Sequence, residues 1–132
     1  MSIKLEHLNY VYSQGTAYEK KALDDICLEI PHGEFVGIIG HTGSGKSTLL
    51  NMLAGLEKPT RGSVVIAGQH IENLTEEQLV RFRRDHVGFI FQSFHLLGTM
   101  NAVENVALPL SFRGEDRKLR LKKANQMLSL VG

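Results

Sequence analysis

Eight residues, Gly40-His41-Thr42-Gly43-Ser44-Gly45-Lys46-Ser47, fit the pattern G-x-x-x-x-G-K-[ST] at every fixed position. Residue types at this spacing suit the gripping of a polyphosphate. Several negative charges can be held by a short loop only if many backbone N–H groups converge on one anion, and Gly40, Gly43 and Gly45 permit the positive φ angles that such a nest demands. Lys46 supplies a point charge for the β and γ phosphates, and the Ser47 hydroxyl is a ligand for Mg²⁺. Thr48 is placed to assist at the α phosphate. His41 and Thr42 fill variable positions of the loop, His41 facing solvent. A nucleotide triphosphate with Mg²⁺ is the ligand this chemistry suits.

Such a loop works only between a strand and a helix. Before it, Phe35-Val36-Gly37-Ile38-Ile39 is a short apolar run of the kind that forms a strand buried on both faces. After it, residues 48–56 carry leucines at helical spacing, so the first turn of that helix adds free N–H groups and the positive end of its dipole. An adenine ring needs a flat π face to stack on; Tyr12, at the end of the first strand, is the candidate and Tyr10 the second choice, although either tyrosine also suits ordinary strand packing. A second apolar run, Val87-Gly88-Phe89-Ile90-Phe91, predicts a buried strand ending at Gln92, where ligands bind in open α/β sheets. From that position the Gln92 amide either meets the metal and the attacking water or is a surface glutamine.

The remaining elements follow from pattern. Ile3, Leu5, Leu8, Tyr10 and Tyr12 mark one alternating strand and residues 22–30 another, an antiparallel pair joined by a polar loop over 13–21. Pro59-Thr60-Arg61-Gly62 is a turn before a strand at 64–67. Thr75 with Gln78, and Asn101 with Glu104, are capping boxes that open two helices, the first running from Glu76 to about Arg84 and the second meeting Pro109, which should kink or end it. Arg81, Arg83 and Arg84 make the first of these basic, as a solvated face or an anion site. Residues 115–131 predict an amphipathic helix with Leu121, Ala124, Leu128 and Val131 on one face, Met127 beside it and the basic residues in solvent.

Composition sets outer bounds. A chain of 132 residues with 42% hydrophobic and 22% charged content is an ordinary single globular domain. Its formal charge of +1 offers no general attraction for nucleic acid, so no nucleic-acid partner is expected. The single cysteine, Cys27, fits a reducing compartment and reads as a small buried apolar residue. The six histidines lack ligand spacing, and none is expected to pair with Cys27 in a metal site. No apolar run reaches membrane-spanning length, which places the chain in the cytoplasm.

Taken together, the ordered motifs resemble the ATP-binding subunits of ABC transporters along nearly the whole chain. They are the strand ending in Tyr12, Ala22-Leu23 with Gly33-Glu34, residues 40–47, Pro59-Thr60-x-Gly62, and Gly88-Phe89-Ile90-Phe91-Gln92. The resemblance implies an α/β phosphate-loop ATPase core with an N-terminal antiparallel β subdomain and the start of a helical subdomain. The core is expected over residues 1–92 and the helical start over 93–132 of one partial domain. It makes Tyr12 the adenine-stacking aromatic and Gln92 the glutamine that touches Mg²⁺ and water and relays nucleotide state. It further implies a membrane-spanning transporter subunit and a second ATP-binding subunit as partners, at the inner face of the plasma membrane. Residues 83–92 with Glu104-Asn105-Val106 and Leu108-Pro109-Leu110 resemble the lipoprotein-release and macrolide-export branch; the front part, through Gly15-Thr16 and residues 40–48, also resembles vitamin-uptake energy-coupling ATPases.

One departure bears on activity. The family's Leu-Ser-Gly-Gly-Gln signature, its apolar strand ending in Asp-Glu and its switch histidine are all absent from these 132 residues. Asp24-Asp25 follow too few apolar residues to be that strand end. The expected activity is therefore Mg-ATP binding without turnover in the chain by itself, and in an intact subunit the coupling of ATP hydrolysis to transport. A stand-alone nucleotide-binding regulator, and a soluble ABC protein acting on nucleic acid, are the alternatives.

Overall fold

The computed structural model describes residues 2–91 and 93–132. They fall into two units, residues 1–83 and 84–132.

The first unit is built on a four-stranded antiparallel sheet of order β2-β1-β3-β4, with β1 at Ile3–Tyr12, β2 at Lys20–Ile30, β3 at Arg61–Ile66 and β4 at Gln69–His70. β1 occupies an inner position, paired on both edges, and a register shift between Leu5 and Leu8 lets both enter the core. Its register joins Ile3 to Ile30 and Tyr12 to Lys20 on one side, and Ile3 to Ile66 and Glu6 to Ser63 on the other. β2 starts earlier than the alternation indicates, so Lys20 and Lys21 belong to the strand and not to the loop. Helix α1, Lys46–Leu53, and helix α2, Glu76–His86, complete the unit's core through Met52, Leu79 and Phe82.

The turn at 59–62 is fastened to β1 by its own residue types. The Thr60 N–H donates to the Asn9 carbonyl at 2.9 Å, and the Val11 N–H donates to Thr60 Oγ1 at 3.1 Å. Gly62, at φ 88°, lies so close to β1 that an added Cβ would stand 2.2 Å from the His7 carbonyl oxygen. No other residue fits there. On the far side of β3, the Val64 N–H donates to the Glu72 carboxylate at 3.0 Å.

Two predicted strands are corrected by the structure. Residues 35–39 and 87–91 have no regular secondary structure, and among the described residues neither is hydrogen-bonded into a sheet. Phe35 and Ile39 are 102% and 98% exposed, and so is Ile90 at 98%. A strand covered on both faces needs neighbours on each edge to satisfy its ladder; among the described residues, none of the four strands pairs with either run. The apolar composition was read correctly as a burial demand, but that demand is unmet in this chain.

The capping signals hold where they were expected. The Thr75 N–H donates to Gln78 Oε1 at 2.8 Å, and the Gln78 N–H donates to Thr75 Oγ1 at 3.3 Å. The basic residues of α2 are each engaged: Arg81 with Glu77, Arg84 with Asp85, and Arg83 with the Gly55 carbonyl at 2.6 Å. Neither a solvated stripe nor an anion site describes Arg83, which braces the end of α1.

In the second unit α3, Ala102–Phe112, and α4, Arg117–Val131, pack together around the small buried residues Ala107 and Ala124. Asn101 and Glu104 form the expected capping box. Pro109 does not end α3, which runs on to the cap at Arg113. α4 begins two residues later than predicted, because Asp116 serves as its cap and accepts from the Lys118 N–H at 2.9 Å. Val131 and Met127 are exposed rather than packed on the apolar face.

Burial alone would raise the Glu72 carboxyl, but the Val64 N–H, its own backbone N–H and His70 outweigh burial and hold it below the usual carboxylate range. A lowered folded-state value means that the stabilising contribution is present above about pH 4.5 and is lost as the pH falls through the lowered value. Glu72→Gln should therefore cost about 1–2 kcal/mol at neutral pH and flatten the loss of stability below pH 4.5, as read by urea denaturation over a pH series.

Candidate functional site

The phosphate loop passes directly into α1, whose first residues are Lys46 and Ser47. Gly45 is the N-cap, at φ 89°, and no side chain caps the helix. Its first-turn N–H groups, which have no acceptor one turn earlier, thus face no competing oxygen from the cap. The glycine is required twice over: its backbone is left-handed, and a Cβ would stand 2.5 Å from the Ala22 carbonyl oxygen and 3.2 Å from Leu23 Cδ2. The loop is seated on β2 by the absence of a side chain.

The Lys46 ammonium is folded back into the loop. It donates to the carbonyls of Gly40 and His41, each at 2.7 Å, and lies 3.4 Å from Ser44 Oγ. A further bond, from the Ser44 N–H to the His41 carbonyl at 3.2 Å, closes the turn. Gly40, His41, Ser44 and Lys46 are thereby brought together as the sequence pattern implies, while Thr42 stands exposed on the outside of the loop.

Beside the loop is an open cleft of about 230 Å³, lined by Tyr12, Lys20, Ala22, Gly43, Gly45 and residues 46–48. Among the described residues its lining includes two lysines and no carboxylate, so its charge favours an anion. Tyr12 reaches it from the end of β1; its hydroxyl and Thr48 Oγ1 are 3.0 Å apart, which pins β1 to the first turn of α1. Tyr10 meets the Tyr12 ring edge-on, with centroids 4.8 Å apart and planes at 87°. This separates the two candidates: Tyr12 lines the cleft, and Tyr10 supports it from the sheet. The neighbouring Glu57 carboxylate, and then burial, push the Tyr10 phenol up to about 12, so it stays protonated. Gln92 lies outside the described residues.

Sequence reasoning missed Lys20 and Ala22. Both follow from the β1–β2 register, because Lys20 is the cross-strand partner of Tyr12; assigning Lys20 to the loop hid it. The expectation that Cys27 is buried is also corrected. Cys27 is exposed, and its sulfur lies 3.9 Å from His7 Nδ1. A larger cavity of about 500 Å³ lies in the second unit, but its carboxylate, Glu104, is already spent on the α3 cap.

A glycine-capped helix, a lysine folded into its loop and an aromatic at the edge define a phosphate-loop nucleotide-binding cassette. The comparisons narrow this class. The family model described as ABC transporter matches residues 23–132, and the chain belongs to that family. It is 45% identical over 134 residues to the macrolide export ATP-binding/permease protein MacB of Shewanella sp. (strain ANA-3), covering 100% of this chain and 20% of that protein. Identity is 42% over 130 residues to the lipoprotein-releasing system ATP-binding protein LolD of Chromohalobacter salexigens, covering 98% of this chain and 54% of the relative. With the energy-coupling factor transporter ATP-binding protein EcfA2 of Acetivibrio thermocellus it is 47% over 133 residues, or 100% and 46%. A solved dimer of the ATP-binding cassette MJ0796, in a post-hydrolysis state bound to ADP and Pi, superposes with a TM-score of 0.88 at 40% identity, covering 96% of this chain and 56% of that one. The fold is thus that of an ABC ATPase cassette at partial length: the chain spans about half or less of each of these relatives.

The seating of Gly45 can be separated from its backbone angle. Gly43 has a similar φ, 82°, but open space around it. Gly43→Ala should cost about 1–2 kcal/mol from the left-handed backbone alone. Gly45→Ala, which adds the clash with Ala22, should cost at least about 2 kcal/mol more, as seen in the two denaturation midpoints.

Proposed function

We propose that this cleft holds the triphosphate of Mg-ATP, and that in an intact subunit the chain forms the part of a transporter ATPase in which ATP binding is coupled to movement of a substrate across a membrane. The observation that carries the reading is the Lys46 ammonium, held 2.7 Å from two neutral carbonyls inside the loop. These carbonyls bond the ammonium without neutralising its charge, whereas a phosphate oxygen would add an opposite charge to the same bonds, so the lysine is placed to exchange them for an anion. The fit extends to the neighbours. The open first turn of α1 and the Gly43 and Gly45 backbone supply N–H donors; Ser47 and Thr48 bring hydroxyls to the same cleft; and Lys20 adds charge at the rim.

These positions support the following roles. Lys46 neutralises the β and γ phosphates and the Ser47 hydroxyl ligates Mg²⁺, while Tyr12 offers its ring to adenine. Gln92 is assigned to Mg²⁺ and to the attacking water by resemblance. Bound Mg²⁺ would supply neutralisation of charge that develops across the phosphate oxygens. These 132 residues include no apolar strand ending in Asp-Glu and no Leu-Ser-Gly-Gly-Gln signature, which supports binding without turnover by this chain alone. A membrane-spanning subunit and a second ATP-binding subunit are the partners we propose, at the cytoplasmic face. That MacB is an ATP-binding/permease protein and that the MJ0796 cassette is dimeric supports them. Among the described residues no helix is long and apolar enough to cross a membrane.

Titration of the 132-residue chain with a fluorescent ATP analogue in the presence of Mg²⁺ tests the reading. Lys46→Ala should weaken binding by about 10–100-fold, equivalent to about 1.4–2.8 kcal/mol. Phosphate release by the unaltered chain should match that of the variant. Equal affinity in the two proteins would remove the assignment of the cleft, and lysine-dependent phosphate release would remove the claim that turnover is lacking.

A further inference from the structure

From the geometry we infer a second site, for a thiophilic divalent cation such as Zn²⁺, formed by His7, Asp25 and Cys27 on paired strands β1 and β2. One ligand atom from each residue lies within 4.8 Å of the others. His7 Nδ1 is 2.8 Å from Asp25 Oδ1 and 3.9 Å from Cys27 Sγ. Tetrahedral zinc, with bonds of about 2.0–2.3 Å, needs its ligand atoms about 3.3–3.6 Å apart, so exposed side chains must shift by roughly an ångström or less to close on the ion. Imidazole, carboxylate and thiolate form a mixed donor set that selects Zn²⁺, or Co²⁺ in its place, over Mg²⁺ and Ca²⁺. Solvent completes the fourth position.

The three residues meet because the strands are irregular there. The register jumps between Leu5 and Leu8, so that Glu6 and His7 oppose Cys27, and it jumps again between Leu8 and Tyr10, which gives Asp25 no direct partner. His7 and Asp25 both take left-handed backbones, at φ 50° and 49°. Neither is glycine, and such angles are costly away from it. Asn9 holds both bends: its Nδ2 donates to the His7 carbonyl at 2.8 Å, and the Asp25 N–H donates to its Oδ1 at 3.1 Å. The His7 N–H also points at the Cys27 sulfur, 3.3 Å away, which is the contact that a metal-bound thiolate takes from its surroundings. None of the three lines the nucleotide cleft; His7 and Cys27 instead line a shallow cleft on the sheet with Glu6 and Glu29.

Binding would release the thiol proton of Cys27 to solvent, and a proton on His7 Nδ1 would move to Nε2 or to solvent as that nitrogen takes the ion. Affinity therefore rises with pH. Its effect on the fold is to clamp two adjacent bulges that are otherwise held by Asn9.

The test is titration of the chelator-treated 132-residue chain with Co²⁺ and then Zn²⁺. One equivalent of Co²⁺ should give thiolate-to-metal charge-transfer absorption that Zn²⁺ displaces. Cys27→Ser should abolish the band, and His7→Gln and Asp25→Asn should each weaken binding by at least about tenfold, while His32→Gln leaves it unchanged. Because every substituted group is exposed, the variants should melt like the parent in chelator. Zinc should also slow alkylation of Cys27 by iodoacetamide in the parent, and not in His7→Gln. Absence of the band, its survival in Cys27→Ser, or unchanged affinity in both His7→Gln and Asp25→Asn, which would mean adventitious thiol binding, each overturns the site.

Discussion

The arrangement of this chain depends on one close approach, that of Gly45 to the Ala22 carbonyl. A phosphate loop is a stretch of backbone with few side-chain contacts of its own, and it takes a defined place only if something rigid supports it. Here the support is β2, and the missing Cβ lets the loop lie against that strand. From this one contact the rest of the site follows. β2 pairs with β1 so that Lys20 faces Tyr12, and Tyr12 bonds Thr48 in the first turn of α1. Two lysines, an aromatic edge and an uncapped helix end then share one cleft.

Much of this was legible in the sequence, for reasons that differ by element. The loop was legible because Gly, Lys and Ser at fixed spacing answer a chemical need that few other sequences meet. Capping boxes at Thr75 and Asn101 were legible because they are local, closing between residues three apart. Alternation gave β1 and β2 but not their ends, and so Lys20 was lost to the loop. The cluster of His7 with Cys27 was invisible for a related reason. Twenty residues separate the two in sequence, and two bulges that alternation does not report bring them together.

The apolar runs at 35–39 and 87–91 teach the opposite lesson. Their composition states what a segment requires, namely neighbours on both edges and cover on both faces, and not whether the chain supplies it. In the described structure they lie outside the sheet and are largely open to solvent. The antiparallel sheet of the first unit is complete without them because β1 uses both of its edges, for β2 and β3.

Helix α1 is only eight residues long, yet it is gripped at each end. Tyr12 holds Thr48 at the front, and Arg83 of α2 holds the Gly55 carbonyl just behind the last turn. An element so short and so tethered behaves as a strut rather than a spring. A push on the front turn is delivered to the rear with little lost to bending, and the first thing it reaches there is the guanidinium that belongs to the next helix. The two tethers are thus joined by about twelve ångströms of helix.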